Sequence, residues 1–424
     1  MRLTQASNIS HDIDVDHVYA GLLLQCANGD VLLQDRDNRA GIENAGLITT
    51  FGGLAEGDEF EYEAAIREAR EELGLDLKPE DLEHLCDIRK TERDGSSTRV
   101  SVWIVEGVEP RSIQVFEGRG FVRGTVRDLQ QNPRLTYTCR RTLEIFELRQ
   151  RASAPGETMT LEVVASVSSP AHPVNEDLFG VLGCSAWLID GATPIDKSPK
   201  LHPISDARWL VELSDDLLRK YGPERPLPVA LAQVLVAIRD RIASADTPLA
   251  YPPSAAIALI RAHNGVIEYL ALSDVAVVVV DGDQVWLLDD QVSARREEHV
   301  LKIEREKGAD AVRESMWHRR RHEMNRRGGY WVFSDEPESA MHVRHGYIEA
   351  RPGTRVLIAS DGFTRLVNVF GTTTWDQLAM LGPSDPEGLV SELRSLEDSD
   401  PDRTRYSRIS TRDDATAVWL DVVS

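Results

Sequence analysis

The chain has 424 residues and carries 70 acidic against 48 basic side chains, a formal net charge of −22. A single core stops growing at roughly 250–300 residues, so the length calls for two domains. The negative charge tells against duplex DNA and anionic membranes as partners, because their phosphates would be repelled.

At the N-terminus, Met1-Arg2-Leu3-Thr4-Gln5 leads into polar residues and not into a signal-peptide core. No apolar run approaches the ~18 residues of a membrane helix. Cysteines at 26, 86, 139 and 184 have no spacing for zinc or a disulfide framework, which suits a reducing cytosol and predicts a soluble, cytoplasmic protein. His17 to Leu24 and Asp30 to Gln34 read as strands joined by a hairpin at Asn28-Gly29-Asp30. A helix is predicted next, with Asp58 and Glu61 as a capping box and Gly74 as a left-handed stop. Tyr62, Ala65, Ile66, Ala69 and Leu73 make its apolar stripe. Glu68, Glu71 and Glu72 fall on neighbouring turns beside that stripe, where like charges repel by roughly 0.2–0.5 kcal/mol per pair. A hard cation such as Mg²⁺ would offset that repulsion. A merely solvated acidic helix would explain the charge but not Gly53, Arg67 and Gly74 at fixed offsets.

Gly53, Glu59, Arg67, Glu68, Glu71, Glu72 and Gly74 stand at the spacing G-x5-E-x7-R-E-x-x-E-E-x-G. This stretch resembles the Nudix box, with Ala69 where the family usually has a larger aliphatic residue. The resemblance covers about residues 15–150, including a strand at Ser101 to Val105, and implies an α/β/α sandwich. It also implies hydrolysis of a nucleoside diphosphate linked to another group, with Mg²⁺ or Mn²⁺ on Glu68, Glu71 and Glu72 and the carbonyl of Gly52 as a further ligand. Glu59 and Arg67 would brace the loop. Glu117, in Phe116-Glu117-Gly118-Arg119-Gly120-Phe121, is the candidate general base, its glycine neighbours permitting close backbone approach; the alternative is a turn glutamate.

Leu143 to Leu148 predicts a helix closing the first domain, residues 1–150, and residues 151–157 have linker composition. In the second domain, 158–424, Leu161 to Val167 reads as a strand. Leu210 to Tyr221 and Leu227 to Ala243 read as amphipathic helices. Four strands follow at Ile257 to Arg261, Ile267 to Leu272, Val275 to Val280 and Val285 to Leu288, with a hairpin at Asp281-Gly282-Asp283. Residues 293–327 read as a long charged helix or helix pair. Its Trp317-His318-Arg319-Arg320-Arg321-His322 run is either a phosphate-binding patch or, more simply, a solvated face. Strands return at Val356 to Ala359 and Ala417 to Val422. Helices between two sets of strands point to a layered α/β (α+β) architecture.

Acidic residues of this half sit at strand ends: Asn175-Glu176-Asp177, Asp190-Gly191, Ser273-Asp274, Ser360-Asp361-Gly362 and Asp413-Asp414-Ala415-Thr416. Aspartates so placed can converge at one end of a sheet, as oxygen ligands for Mg²⁺ or Mn²⁺. The order resembles the PP2C-type metal-dependent phosphatases, which implies an αββα sandwich with a binuclear centre. By that resemblance Asp190 bridges two metals, with Glu176 and the Gly191 carbonyl on one, and Asp361 and Asp413 on the other. Asp177 lies behind the ligands, and Asp274 serves a third metal. An arginine common in the family four residues before the glutamate is replaced by His172, which either takes over phosphate binding or proton donation or is an ordinary loop histidine.

The leading reading is a bifunctional phosphohydrolase: the Nudix half cuts a diphosphate bond in a small, nucleotide-like metabolite, and the PP2C-like half removes the remaining phosphomonoester. The alternative is a Ser/Thr protein phosphatase whose Nudix half senses a nucleotide.

Overall fold

The computed structural model describes residues 2–5, 15–92, 95–156, 159–193, 201, 203, 205–222, 225–244, 249, 251–288, 300–306 and 308–424. The chain divides into two units, one of residues 12–151 with 345–347 and the other of residues 1–11, 152–344 and 348–424. The strand Arg2–Gln5 (β1), which the sequence reading placed in the first domain, belongs to the second unit.

In the first unit, β2 (His17–Gln25) and β3 (Val31–Asp35) form the expected hairpin, and Gly29 turns it at φ 87°. Two short strands, β4 (Ile48–Thr49) and β5 (Phe51–Leu54), precede helix α1 (Glu61–Leu73). Then come β6 (Glu83–Thr91), β7 (Ser97–Val105) and β8 (Gly120–Gly124). The sheet runs β4-β3-β2-β7-β6, with β5 paired to β2 and β8 to β3. β2 and β7 are parallel, and buried neighbours such as Leu22, Leu23, Leu24, Val102, Trp103 and Ile104 show a sheet covered on both faces. Helix α1 packs on β5 and β2. Its cap differs from the expectation at Asp58: the helix begins after Phe60, whose N–H donates to Glu63 Oε2 at 2.9 Å. Gly74 is the left-handed stop, at φ 65°. After α2 (Val126–Gln130), α3 (Tyr137–Ser153) buries Cys139, Leu143 and Phe146 and extends into the stretch that composition reads as linker.

The second unit has two sheets. One is β1-β15-β14-β17-β18-β9, built with β9 (Thr160–Ser169), β14 (Ala276–Asp281), β15 (Gln284–Leu288), β17 (Arg355–Ala359) and β18 (Ala415–Val423). The other is β10-β11-β12-β13-β16: Asp177–Leu182, Ser185–Gly191, Ala255–His263, Val266–Leu272 and Arg344–Glu349. Side-chain alternation assigns the layers. Leu188 of β11 and Val277 and Val279 of β14 share the core between the sheets. Trp187 and Ile189 instead meet helices α4 (Asp206–Tyr221) and α5 (Leu227–Ala243). Val278 and Val280 meet residues of α7 (Asp361–Asn368), α8 (Trp375–Leu381) and α9 (Pro386–Ser399). The result is an αββα sandwich.

Of the predicted charged helix, residues 300–306 and α6 (Ala309–His322) are helical, while 293–299 and 307 lie outside the described residues. Among the described residues no helix is long and apolar enough to cross a membrane. All four cysteines are free and buried.

Candidate active sites

Strand β5 delivers Gly52 and Gly53 to the side of α1, where Gly52 must be glycine and any side chain at Gly53 would displace the Glu68 carboxylate. Gly52 has φ 120°, and a Cβ there would lie 2.0 Å from the Ala20 carbonyl oxygen. A Cβ on Gly53 would lie 2.2 Å from Glu68 Oε1. The close approach lets the Gly52 N–H donate to Glu72 Oε2 at 2.8 Å, while Gln34 Nε2 donates to Glu72 Oε1 at 2.9 Å. Glu72 is buried, and burial pushes its carboxyl up to about 7, with the charges of Glu117 and Glu68 adding to the shift. Burial also raises Glu68.

Arg67 binds Glu59 through two contacts of 2.9 and 3.0 Å, Glu68 at 2.7 Å and the Leu54 carbonyl at 2.9 Å. The hydrogen bond from Arg67 holds Glu59 below the usual carboxylate range. One guanidinium thus ties the loop before α1 to the helix. Glu71 is 60% exposed and shares Arg67 Nη1 with Glu68, at 3.2 Å. Glu117 is 55% exposed and accepts from Arg36 Nη1 at 2.7 Å. Its approach depends on Gly118, at φ 87°, where a Cβ would lie 2.8 Å from the Asp35 carbonyl oxygen. Gln34 and Arg36, which tie Glu72 and Glu117 in place, carry no motif in the sequence.

In the second unit, Asp177 and Asp190 stand directly opposite each other in the β10–β11 ladder. Burial raises both, and each stands under the negative charge of further aspartates: Asp414 beside Asp177, and Asp177, Asp361, Asp274 and Asp413 around Asp190. Asp361, the first residue of α7, is raised by burial and by Asp413, Asp274 and Asp177. Asp177 is only 3% exposed and neither of its carboxylate oxygens has a hydrogen-bond partner, though the hydroxyls of Ser360 and Thr416 lie near enough to favour its charge.

Glu176 stands beside Gly191, with its carboxylate engaged by hydroxyls. Its Oε2 accepts from Thr193 Oγ1 at 2.6 Å and its Oε1 accepts from Ser205 Oγ. Gly191 N–H donates to the Glu176 carbonyl at 3.1 Å, and a Cβ on Gly191 would lie 2.7 Å from that oxygen. Asp414 fixes the same loop by accepting from Ala171 N and Glu176 N, both at 2.6 Å. Asp274 accepts from Ser273 Oγ at 3.1 Å. Asp413 accepts from Arg365 and Ser410. His172 is exposed in its loop. In the basic run, Arg319 pairs with Glu323 at 3.0 Å and Arg320 donates to Ser254 Oγ at 3.2 Å.

Among the described residues no three His, Cys, Asp or Glu side chains form a ready metal cage. The chemistry of the donors nevertheless fits a divalent cation. Asp177 beside Asp190, and Glu68 and Glu72 under the Gly53 cradle, are hard oxygen donors, and Arg67 is the one cation bonded to either pair among the described residues.

Residues 15–123 match the family model of the NUDIX domain, which places this part of the chain in a class of hydrolases acting on phosphorus compounds. The particular arrangement is a Nudix domain fused to an αββα unit. Among solved structures, the E. coli ORF135 protein is 27% identical, over 33% of this chain and 94% of its own, with a TM-score of 0.27. The Mycobacterium tuberculosis serine/threonine phosphatase PstP/Ppp is 15% identical, over 62% of this chain and all of its own, with a TM-score of 0.40. PppA of Pseudomonas aeruginosa is 18% identical over 62% and 99%, with a TM-score of 0.37. No curated protein matches the chain.

Proposed function

We propose that the chain is a bifunctional, metal-dependent phosphohydrolase in which the Nudix unit cleaves a diphosphate bond of a nucleotide-like metabolite and the αββα unit removes the phosphomonoester left behind. The observation that supports two reactions is that each unit sets a buried carboxylate beside a half-buried one, Glu72 with Glu68 and Asp177 with Asp190. A Mg²⁺ or Mn²⁺ ion would neutralise charge on phosphate oxygens and activate water at either pair. In the Nudix unit Glu72 is held by Gly52 and Gln34, and Arg67 and Glu59 brace the loop before the helix. Glu117, oriented by Arg36, serves as the base. In the second unit Asp177 and Asp190 hold the cation, with Asp361 and Asp413 closing the opposite side. Small phosphorylated metabolites are the partners, and the acidity of the chain keeps nucleic acid duplexes and anionic membranes away.

The test is purified protein with Mg²⁺ or Mn²⁺ against nucleoside triphosphates, nucleotide-diphosphate conjugates, monophosphates and a phosphoserine peptide. Consumption of a diphosphate compound and of a monophosphate supports the proposal. Cleavage of the peptide alone, at a rate that nucleotides change, would replace it with the regulatory reading.

A further inference from the structure

Arg365 follows Asp361 by four residues, one turn along α7, so both side chains lie on one face of the helix. Its guanidinium reaches back to the aspartates. Nη2 donates to Asp413 Oδ2 and to Ser410 Oγ, each at 2.7 Å, and Nη1 donates to Glu397 Oε1 at 2.9 Å. The side chain is 6% exposed and Glu397 is fully buried. Asp413 is engaged on both oxygens, because Oδ1 accepts the Asp414 N–H at 3.2 Å. The other side of the cluster is unlike this one: Asp177, directly across from Asp190, has only the Ser360 and Thr416 hydroxyls near it and neither carboxylate oxygen has a hydrogen-bond partner of regular geometry.

We propose that Arg365 is a resident cation of this centre, its guanidinium compensating the Asp361–Asp413 side, so that one divalent cation binds tightly, on Asp177 and Asp190. This rests on the phosphatase reading of the unit and departs from the binuclear centre that the sequence resemblance implies. The physical reason is that a guanidinium stays charged at any working pH and repels a dication brought against the same carboxylate. Its fork is held by Glu397 and Ser410, so it cannot swing away without leaving a buried carboxylate exposed to the loss of a partner.

The experiment counts metal ions, by calorimetry and native mass spectrometry, on full-length metal-free protein titrated with Mn²⁺. The Glu72→Gln background reduces the contribution of the Nudix unit. One tight Mn²⁺ is expected that disappears in Asp190→Asn, whereas Asp413→Asn changes its affinity by less than about tenfold, the lower end of what outer contacts to a metal site are worth. Arg365→Met is expected to admit a second Asp190-dependent ion. Should that variant fail to fold, the Asp413→Asn measurement decides. Two tight Asp190-dependent ions in the chain with Arg365 intact, or loss of the tight ion in Asp413→Asn, would overturn the assignment and leave the phosphatase reading standing. Absence of any Asp190-dependent ion would overturn both.

Discussion

Glu72 is a carboxyl group that folding removes from water, and its protonation is therefore coupled to stability. Its ordinary value of 4.5 rises to about 7, chiefly through burial. Below pH 4.5 folded and unfolded chains both hold the proton, and Glu72 contributes no pH dependence. Between pH 4.5 and about 7 the unfolded chain releases its proton while the folded chain keeps it, so stability falls; above 7 the penalty is constant. The full span is on the order of 3 kcal/mol as an upper estimate. Denaturant unfolding of metal-free protein across this range should show the fall, and Glu72→Gln should flatten it; parallel profiles for the two proteins would refute this account. The neighbouring glycine makes a separate prediction. Gly53→Ala drives a methyl group onto Glu68 Oε1 and should cut diphosphate hydrolysis by about 10²-fold or more, the scale seen when a reacting group is displaced by 1 Å. Phosphomonoester cleavage by the same preparation should be unchanged.

At the scale of elements, a buried ion pair holds part of the second sheet together. Arg261 on β12 faces Glu268 on β13 in register, with Nε 2.8 Å from Oε2, and Glu268 Oε1 accepts the Leu227 N–H at the start of α5 at 2.9 Å. Truncating Glu268 to Ala strands the arginine and an N-terminal helix N–H, and should cost about 3–5 kcal/mol in denaturant unfolding, with Glu268→Gln costing less. The apolar runs that became β12 to β15 and the stripe of α5 were readable in the sequence, because a strand or helix buried on its proper faces records its own period. Register is not recorded in that way. Asn175-Glu176-Asp177 and Leu188-Ile189-Asp190 each announce a strand end, yet the direct pairing of Asp177 with Asp190, with Glu176 turned to Ser205 and Thr193, depends on how the two strands align. The start of α1 differs from the expected position for a related reason. Asp58 and Glu61 have capping-box spacing, but Glu63 bonding the Phe60 N–H sets the first turn two residues later. Helix α7 opens with Asp361-Gly362 and has eight residues, too few to display a period. Arg365 therefore carries no sequence signal beyond its four-residue offset from Asp361.

For the whole molecule, the proposed pairing of two phosphate-cleaving units on one chain makes chemical sense only in one order. A Nudix centre needs a diphosphate bridge, and a phosphomonoesterase centre needs a terminal monoester, so the product of the first can be the substrate of the second. A nucleotide-diphosphate conjugate should accordingly yield a monophosphate first and then free phosphate. Asp190→Asn should halt the sequence at the monophosphate, since it removes one of the two facing carboxylates of that unit. Glu72→Gln should leave the conjugate intact while still releasing phosphate from added monophosphate. Mixing the two variants should restore the complete sequence through diffusion, more slowly than the parent chain if tethering raises the local concentration of intermediate. Chromatography of a time course reads all four cases. Equal loss of both steps in either single variant would mean one shared site or a folding defect, and the serial reading would fall.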